Sequence, residues 1–325
     1  MLSVNDALSY DRDAIGIGRK GTIDRPYILK APFWTVDTLF YAIPREKVDL
    51  NFAFDIFQNI DWKKKDESTG VPSLSKTAIN DIDVLAPKHG EQQTIGQFFA
   101  AIDHLITLHQ RKFEKLTNVK KSMLEKMFPQ NGCSYPEIRF KGFTDAWEQR
   151  KLSEMCGTFE YGLNAAAKEF DGKNKYIRIT DIDDASREFL LSDLSSPDIC
   201  LDGMSKYLLS SGDVVFARTG ASVGKTYIYR ENDGIVYFAG FLIRAKVNQD
   251  NDAEFVFQST LSPSYEKYIR ITSQRSGQPG VNAQEYSEYD LFAPSKEEQQ
   301  RIGHFLRGID NLITLHQRKH LRLHP

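Results

Sequence analysis

The chain carries a long internal repeat, which constrains its architecture more than any other feature. The segment EQQTIGQFFAAIDHLITLHQRK (Glu91–Lys112) recurs as EQQRIGHFLRGIDNLITLHQRK (Glu298–Lys319), identical at 16 of 22 positions, at an offset of 298 − 91 = 207 residues. Gly70–Pro87 aligns with Gly277–Pro294 at the same offset. This period is too long for one unit of a solenoid, so it indicates a duplicated domain that includes its own helix.

The two copies diverge further upstream. GRKGTIDRPYIL (Gly18–Leu29) parallels ARTGASVGKTYIY (Ala217–Tyr229), with Arg19 opposite Arg218 at an offset of 218 − 19 = 199. The change of offset places an insertion or deletion between the repeated segments. Near-identical ends and divergent bodies are expected of a common scaffold that carries two readers of different targets. A duplication of this kind can relate two similar surfaces by a pseudo-two-fold axis.

Each copy ends in a predicted long helix. Apolar residues recur every three or four positions through Glu91–Phe128, which follows Pro87 and is stopped by Pro129. At 1.5 Å per residue such a helix spans roughly 57 Å, a length that favours a spacer or coiled-coil strut. Two unpaired surface helices on separate domains are the alternative. The residues predicted to form the seam between the helices are Ile95, Phe99, Ile102, Leu105, Leu116, Ile302, Phe305, Ile309 and Leu312.

Short β-type runs dominate residues 147–290. They are Lys175–Ile182, Asp213–Gly220, Thr226–Arg230 and Ile235–Val247, and turn signals separate them at Ser211-Gly212 and Asn232–Gly234. We expect a mixed α/β domain here. Residues 130–146 have the composition of an irregular linker that leads into it.

A glycine-rich turn, GASVGKT (Gly220–Thr226), resembles a phosphate-binding loop but lacks its spacing. A Walker A loop needs four residues between its first glycine and the Gly-Lys pair, and here Gly220 and Gly224 enclose three. A tight turn between two strands is therefore the simpler interpretation. The alternative is a DNA contact, because arginine and lysine bind phosphates and read guanine.

The polar stretch Ile271–Tyr286 contains glutamine, asparagine and arginine side chains that suit bidentate base contacts, with an ordinary surface loop as the alternative. The candidate DNA-binding residues are Arg19, Lys20, Arg178, Arg218, Lys225, Gln274, Arg275, Gln278 and Asn282.

Composition excludes several other functions. The three cysteines are widely spaced and the histidines show no metal-ligand spacing, so neither a disulfide framework nor a metal site is expected. No apolar run reaches the length of a membrane helix and no secretory signal begins the chain, which predicts a cytoplasmic protein without membrane contact. Net charge is −2, so DNA binding requires clustered basic residues or partners that share the phosphate contacts.

No catalytic motif is evident. Pro197-Asp198 is not followed by the acid-x-lysine pattern of a common nuclease, and a methyltransferase would need a glycine-rich cofactor loop with an Asn/Asp-Pro-Pro-aromatic motif, which the chain lacks. No nucleophile-base set can be argued from spacing. The sequence therefore predicts a protein that is not an enzyme.

These motifs together resemble a known family. The order DVVFARTGASVGKT, QPGVN, APxxxEQQxIGxFLxxID and long helix, preceded by PEIRFKGFTDAWEQRKLSEM (Pro136–Met155), resembles the specificity (S) subunits of type I restriction-modification enzymes. The resemblance implies a mixed α/β fold of two target-recognition domains joined by long antiparallel coiled-coil helices. It also implies that each domain reads half of a split site in double-stranded DNA. Modification subunits using S-adenosylmethionine and restriction subunits using ATP and magnesium would be the partners, and this chain would bind no cofactor itself.

Compared with that pattern, both ends of the chain are expected to be shortened. The domains predicted from the resemblance are a partial first recognition domain (1–86), a spacer helix (87–129), a linker (130–146), a second recognition domain (147–290) and a shortened second helix (291–325). The tail His320–Pro325 no longer matches its counterpart Phe113–Asn118. A second S chain or fragment is a further possible partner. The alternative function is a scaffold that binds modification subunits or another S fragment without binding DNA.

Overall fold

The structure is a computed structural model that describes residues 7–130, 132–275 and 277–323, with side chains described as far as Gln317. The side chains of the predicted tail His320–Pro325 lie outside that range. The chain divides into two compact units, the first containing the residues up to His109 and the second spanning Gln110–Arg322. Within the described residues, no helix is both long and apolar enough to cross a membrane.

Unit 1 is built on a small antiparallel sheet. Its strand order is β2-β1-β3, and Ile17 and Ile23 pack with Trp62 and Leu74 in the main buried cluster. The elements that begin in this unit are β1 (Ala14–Gly18), β2 (Tyr27–Leu29), β3 (Leu39–Ala42), α1 (Leu50–Asn59), a 3-10 helix (Trp62–Lys65), α2 (Lys76–Asn80) and α3 (His89–Lys126).

Unit 2 is larger and contains a four-stranded antiparallel sheet of order β10-β9-β12-β5. Three two-stranded ladders accompany it, β11-β7 in parallel and β13-β4 and β6-β8 antiparallel. Its strands are β4 (Glu148–Lys151), β5 (Cys156–Tyr161), β6 (Ala167–Glu169), β7 (Lys175–Ile177), β8 (Ser195–Pro197), β9 (Asp213–Ala217), β10 (Thr226–Ile228), β11 (Val236–Phe238), β12 (Leu242–Val247) and β13 (Asp290–Ala293). Its further helices are α4 (Leu152–Met155), α5 (Ala253–Ser259), α6 (Pro263–Thr272), α7 (Ala283–Ser287) and α8 (Lys296–Leu323), with 3-10 turns at Ile179–Asp181, Ser205–Tyr207, Gly220–Ser222 and Glu231–Asp233.

The central strand β9 is buried on both faces. Val214 and Phe216 enter one apolar cluster, which includes α5, α6 and α8, while Val215 and Ala217 enter another cluster on the opposite side of the sheet. This alternation is the two-residue period of a β-strand, and it explains why the run DVVFA is continuously apolar after its first residue. The predicted mixed α/β fold with an internal duplication is confirmed.

Two of the predicted strands are shorter than their sequence runs. In the run Lys175–Ile182 the strand ends at Ile177, because the Arg178 backbone and guanidinium both bond to Asp181 and the chain turns into a 3-10 helix. The run Ile235–Val247 forms two strands, β11 and β12, separated at Ala239–Phe241. Local hydrophobicity does not reveal where such contacts or turns interrupt a strand, so the observed strand boundaries differ from the predicted ones.

The predicted pairing of the long helices is present in unit 2. Leu124, near the end of α3, shares a buried cluster with Leu306 and Ile313 of α8. The Lys120 ammonium lies 2.5 Å from the Asp310 carboxylate. Phe128, which follows α3, stacks on Phe255 beside Gly303 near the start of α8. The two helices therefore run antiparallel, as predicted.

The repeated EQQxIG motif joins each long helix to a short helix. In unit 2 the Asp252 backbone N–H donates to Gln299 Oε1 (3.0 Å), and the Gln299 amide group donates to the Pro294 carbonyl (2.9 Å). Asp252 caps α5 by accepting from the Phe255 N–H (2.8 Å). Gln299 is 2% exposed, so its amide satisfies backbone groups in an apolar setting.

Unit 1 repeats this junction almost atom for atom. The Asp49 N–H donates to Gln92 Oε1 (3.1 Å), the Gln92 amide donates to the Pro87 carbonyl (2.8 Å), and Asp49 caps α1 through the Phe52 N–H (3.0 Å). A methyl group at Gly96 would lie 2.5 Å from Asp49 Oδ1. Glycine is therefore required in the motif because the helix approaches the cap closely.

We predict opposite effects from two glycine substitutions in α8. In Gly303→Ala the new methyl would lie 2.6 Å from Asp252 Oδ1 and 2.9 Å from the Phe255 nitrogen, so we expect a loss of about 1–3 kcal/mol of unfolding free energy. Gly308→Ala meets no atom within 4 Å and should stabilise the helix by up to about 1 kcal/mol. Thermal and urea unfolding measure both. Equal effects of the two substitutions would contradict this account of the junction.

Two carboxylates of unit 1, Asp55 and Asp103, occupy the positions of Gln258 and Asp310 in unit 2. In unit 2, Gln258 donates to Asp310 (2.8 Å), which also binds Lys120. In unit 1, Asp55 lies near Asp103, and its Oδ2 is buried without a hydrogen-bond partner among the described residues. Burial raises the pKa of Asp55 to about 6, with a smaller contribution from Asp103.

We predict that Asp55→Asn stabilises the protein near neutral pH. Because the pKa of Asp55 is higher in the folded state than in the unfolded state, the stability associated with its protonated carboxyl is fully present below pH 4. That stability is lost as the pH rises through 6. At pH 7.5 the variant should gain about 1 kcal/mol over the parent, a value reduced for solvent screening of a partly exposed group. Thermal unfolding from pH 4 to 7.5 tests this. A pH-independent difference would contradict it.

Candidate nucleic-acid interface

Arg218 lies at the end of the most buried strand, on the turn that joins β9 to β10. Its backbone N–H donates to the Phe241 carbonyl (3.0 Å), and its carbonyl accepts from the Val281 N–H (2.9 Å). The next part of the turn is fixed by the Gly220 N–H, which donates to the Pro279 carbonyl (3.0 Å). Both backbone groups of this arginine are therefore hydrogen-bonded to other segments, so its side chain starts from a rigid backbone.

Steric constraints explain why glycine occupies position 224 of this turn. Gly224 has φ +82°, and a methyl group there would lie 2.6 Å from the Ile269 side chain. The buried Tyr286 hydroxyl accepts from the Gly224 N–H (3.2 Å) and donates to the Ala217 carbonyl (2.7 Å). GASVGKT thus forms a hairpin turn, as the simpler interpretation predicts, and the Tyr286 hydroxyl bonds to the backbone at both Ala217 and Gly224.

Two exposed aromatic rings flank the Arg218 guanidinium. Its Cζ lies 5.1 Å from the centroid of Tyr161 and 5.8 Å from that of Phe241, and these residues are 44% and 55% exposed. The Tyr161 hydroxyl is anchored by the Ala283 N–H (3.2 Å) at the start of α7. Cation–π contacts of this kind hold the arginine side chain with little loss of donor capacity. Its Nε has no hydrogen-bond partner among the described residues.

The same three residues line a cavity of about 580 Å³, hereafter the aromatic cavity. Arg178 also lines it, but its guanidinium donates twice to Asp181, through Nε (2.8 Å) and Nη2 (2.8 Å). This ion pair raises the pKa of Arg178 and occupies one edge of its donor fork. Arg218 and Arg178 are therefore brought together, and Arg218 is the less engaged of the two.

Lys225 faces a different cavity of about 600 Å³, hereafter the basic cleft. Its ammonium is 2.5 Å from the Asp184 carboxylate, and its side chain is only 14% exposed. Arg187 lines this cleft with φ +59°, a left-handed conformation that is uncommon for arginine. The other cations of the cleft are Lys120, Lys121 and Arg270.

The candidate residues of the loop before α7 have mixed surroundings. Gln278 is exposed, and its amide group lies next to Gly220. Arg275 bonds to the Thr272 carbonyl (2.7 Å) and to Glu285, and Asn282 caps α7 through the Glu285 N–H (2.9 Å). Gln274 is exposed. Arg275 and Asn282 thus have structural partners, whereas Gln274 and Gln278 face solvent.

Arg19 occupies in unit 1 the position that Arg218 has in unit 2. Its N–H donates to the Thr38 carbonyl (2.8 Å), its carbonyl accepts from the Leu74 N–H (3.0 Å), and the Gly21 N–H donates to the Pro72 carbonyl (2.8 Å). The Arg19 guanidinium lies 5.8 Å from the Phe40 ring. Arg19 and Lys20 are exposed. The repeat therefore presents an arginine beside an aromatic ring in both units.

The predicted seam residues differ in exposure. Ile302 and Ile309 are buried, and Ile95, Ile102 and Leu116 are partly buried. Four others remain exposed over 37–47% of their surface; they are Phe99, Leu105, Phe305 and Leu312. The repeated leucines Leu105 and Leu312 are almost equally exposed, at 45% and 46%.

Sequence reasoning missed Tyr161, Phe241 and Arg187. Phe241 lies in the apolar run Ile235–Val247, where an aromatic side chain normally packs inside, and Tyr161 lies before the first predicted strand run. Their exposure follows from the ends of β5 and β12, which the sequence locates only approximately. No sequence signal marks the left-handed conformation of Arg187, because it depends on the fold around Asp183, which accepts from the Ser186 N–H (2.7 Å). Among the described residues, no group of three or more histidine, cysteine or acidic side chains is placed to hold a metal ion.

Comparisons with known proteins agree with this architecture. The chain matches the family described as "Type I restriction modification DNA specificity domain" over residues 4–118 and again over 144–324. It is 24% identical over 268 residues to the type I restriction enzyme MjaVIII specificity subunit of Methanocaldococcus jannaschii, covering 79% of this chain and 62% of that protein. The crystal structure of a type I restriction-modification S subunit from M. genitalium has a similar fold, with a TM-score of 0.66 at 12% identity over 98% of this chain and 82% of that one.

We predict that Arg218→Ala weakens binding to a cognate DNA duplex without lowering stability much. Removing a guanidinium that reads a base costs about 1–3 kcal/mol, which is roughly a 5- to 150-fold rise in Kd. Arg307→Ala is the matched control, because it removes the same charge from an exposed position of α8. Fluorescence anisotropy with labelled duplexes measures both. Equal losses in the two variants would indicate a general charge effect and would remove Arg218 from the interface.

Proposed function

The chain belongs to the family of type I restriction-modification DNA specificity domains, and from that membership we propose that it is a non-catalytic subunit that recognises DNA sequence. It spans 62% of the length of the curated relative, so the activity of the whole assembly is part of this proposal. In that assembly the chain directs adenine methylation and restriction to a bipartite site in double-stranded DNA. We place it in the cytoplasm.

The observation that carries the proposal is the Arg218 guanidinium between two exposed aromatic rings. An arginine fork matches the O6 and N7 acceptors of guanine, and Tyr161 and Phe241 hold the Arg218 guanidinium in place beside a rigid turn. The exposed rings also offer apolar contact to thymine methyl groups or sugars. Gln278, on the loop before α7 and next to Gly220 in space, adds an amide that suits adenine.

Phosphate contacts are assigned to the basic cleft. Five cationic side chains line it against two acidic ones, Asp184 and Glu266, and two of the five are already paired, Lys225 with Asp184 and Lys120 with Asp310. Local clustering of this kind lets a chain with a net charge of −2 bind DNA, because the phosphates respond to the local potential rather than to the total charge. Arg19 and Lys20 are exposed cations on the turn of unit 1 that corresponds to the Arg218 turn.

The chemistry is assigned to other subunits. Modification subunits would bring S-adenosylmethionine, and restriction subunits would bring ATP and magnesium, while this chain holds no cofactor. The two matched family stretches, one in each half of the chain, support recognition of two half-sites. Partner subunits would also supply part of the surface that surrounds the DNA.

A scaffold that binds proteins but not DNA is the second candidate. One observation favours it: apolar side chains are exposed at repeated positions of both long helices. The pairs are Phe98 with Phe305, Leu105 with Leu312, and Leu108 with Leu315, each exposed over 37–61% of its surface. Exposed apolar rows of this kind mark protein interaction surfaces. A DNA specificity subunit also needs such surfaces, so this feature alone does not exclude DNA binding.

Binding measured against salt separates the two candidates. A DNA-reading subunit should prefer one short site, and the logarithm of its binding constant should fall steeply and linearly with the logarithm of salt concentration. Equal, weak affinity for unrelated duplexes would support the scaffold.

Methylome sequencing of a host that carries this gene with its partner genes tests the function directly. We expect one bipartite motif with adenine methylated in each half, and Arg218→Ala should reduce or relax methylation of that motif. Deleting the gene while keeping the modification gene is the control and should abolish the motif. An unchanged methylome after deletion would refute the proposal.

A further inference from the structure

Unit 2 shows what covers one side of the repeated fold. The continuous segment Trp147–Tyr161 forms β4, α4 and β5, of which β4 pairs with β13 and β5 pairs with the outer edge of β12. Trp147, Leu152 and Met155 of this segment are at most 2% exposed and belong to the main core cluster. This segment thus completes two strand edges and one apolar surface together.

The counterparts of those two strand edges are unpaired in unit 1. The strand β3 is the counterpart of β12, and among the described residues it pairs with β1 alone. Its other edge, which corresponds to the edge of β12 that pairs with β5, has no strand beside it there. Residues 83–86, the counterpart of β13 at the 207-residue offset, form no strand. Val84 is 50% exposed and Leu85 is 99% exposed, whereas Leu291, which corresponds to Val84, is 5% exposed.

The counterpart of the covered apolar surface is open as well. An apolar cavity of about 210 Å³ in unit 1 is lined by Phe52, Trp62, Ile79, Ile82, Val84 and Ala86. Five of these six correspond through the repeat to residues that are at most 5% exposed in unit 2; the buried counterparts are Phe255, Tyr286, Tyr289, Leu291 and Ala293. The cavity therefore lies where Trp147, Leu152 and Met155 pack in the other copy.

We propose that this face of unit 1 binds a segment of the same type as Trp147–Tyr161, supplied by a separate polypeptide fragment that carries the segment without a domain of its own to cover it. Its first strand would pair with residues 83–86, its helical turn would place a leucine and a methionine in the cavity, and its second strand would extend β3. Strand addition of this kind combines backbone hydrogen bonds with pockets for alternate side chains. The proposal goes beyond DNA recognition and does not depend on it.

The donor is a separate fragment rather than a second copy of this chain. In this chain Trp147, Leu152 and Met155 are already buried, and the Leu152 N–H donates to the Tyr289 carbonyl (2.8 Å). A second copy would have to give up those contacts to donate the segment. A fragment in which the segment has no such contacts can donate it without that loss.

The test is a titration of the full chain with a fluorescein-labelled synthetic peptide of residues 145–161, under reducing conditions because it contains Cys156. We expect saturable binding, and hydrogen exchange should show new protection at residues 39–42 and 83–86. A peptide with Leu152→Asp and Met155→Asp should bind at least about tenfold more weakly, because it cannot fill an apolar cavity.

Variants of the full chain supply the second control. Val84→Asp should weaken peptide binding by a similar factor yet leave the free chain folded, because this side chain is half exposed there. Val71→Asp, at an exposed position outside the cavity, should bind the peptide normally. Absence of saturable binding, equal binding of the two peptides, or protection confined to unit 2 would each overturn the proposal. None of these readouts involves DNA, so they leave the proposed function to its own tests.

Discussion

Each half of this protein depends on the hydrogen bonds of a buried glutamine side chain at the start of a long helix. Its amide accepts from the backbone of the aspartate that caps a short helix and donates to a carbonyl just before its own helix. A buried amide with both functions satisfied fixes direction as well as position, because each bond leaves at a set angle. The neighbouring glycines Gly96 and Gly303 permit the close approach. The helix, the cap and the sheet that precedes the cap are thereby assembled twice with the same local geometry.

From that junction the recognition surface follows by short steps. The sheet places Arg218 at a strand end, three backbone hydrogen bonds hold the turn, and two aromatic rings flank the guanidinium. Unit 1 repeats the turn around Arg19 with one ring near the arginine. The part that varies between the copies is therefore the surroundings of a common arginine, and in the proposed function this variation would let one fold recognise different DNA sequences. The two cavities of unit 2 differ chemically, because one offers donors and rings and the other offers cations.

The copies are unequal in what covers them. Unit 2 buries its strand edges and apolar surface under Trp147–Tyr161, whereas the corresponding edges and cavity of unit 1 are open within the described residues. The same inequality affects charge, since Asp310 has a lysine and an amide while Asp55 and Asp103 face each other. Unit 2 displays the contacts that unit 1 lacks, and these contacts define the kind of segment that would cover the open face of unit 1.

The sequence by itself determined the duplication, the two long helices and the class of fold, and the family resemblance added the antiparallel pairing of the helices. The duplication and the helices depend on identity between segments and on apolar spacing, and both can be read along the chain. The sequence also located the GASVGKT turn and Arg218, because the glycine spacing and the strand pattern lie in one continuous stretch of residues. Tertiary structure alone decided which of the candidate DNA-binding residues are paired with other groups of the protein. Lys225 pairs with Asp184, Arg178 with Asp181, and Asn282 caps a helix, while Tyr161 and Phe241 become exposed beside Arg218. These outcomes depend on which residues meet in space and on where strands end, and a local pattern carries neither.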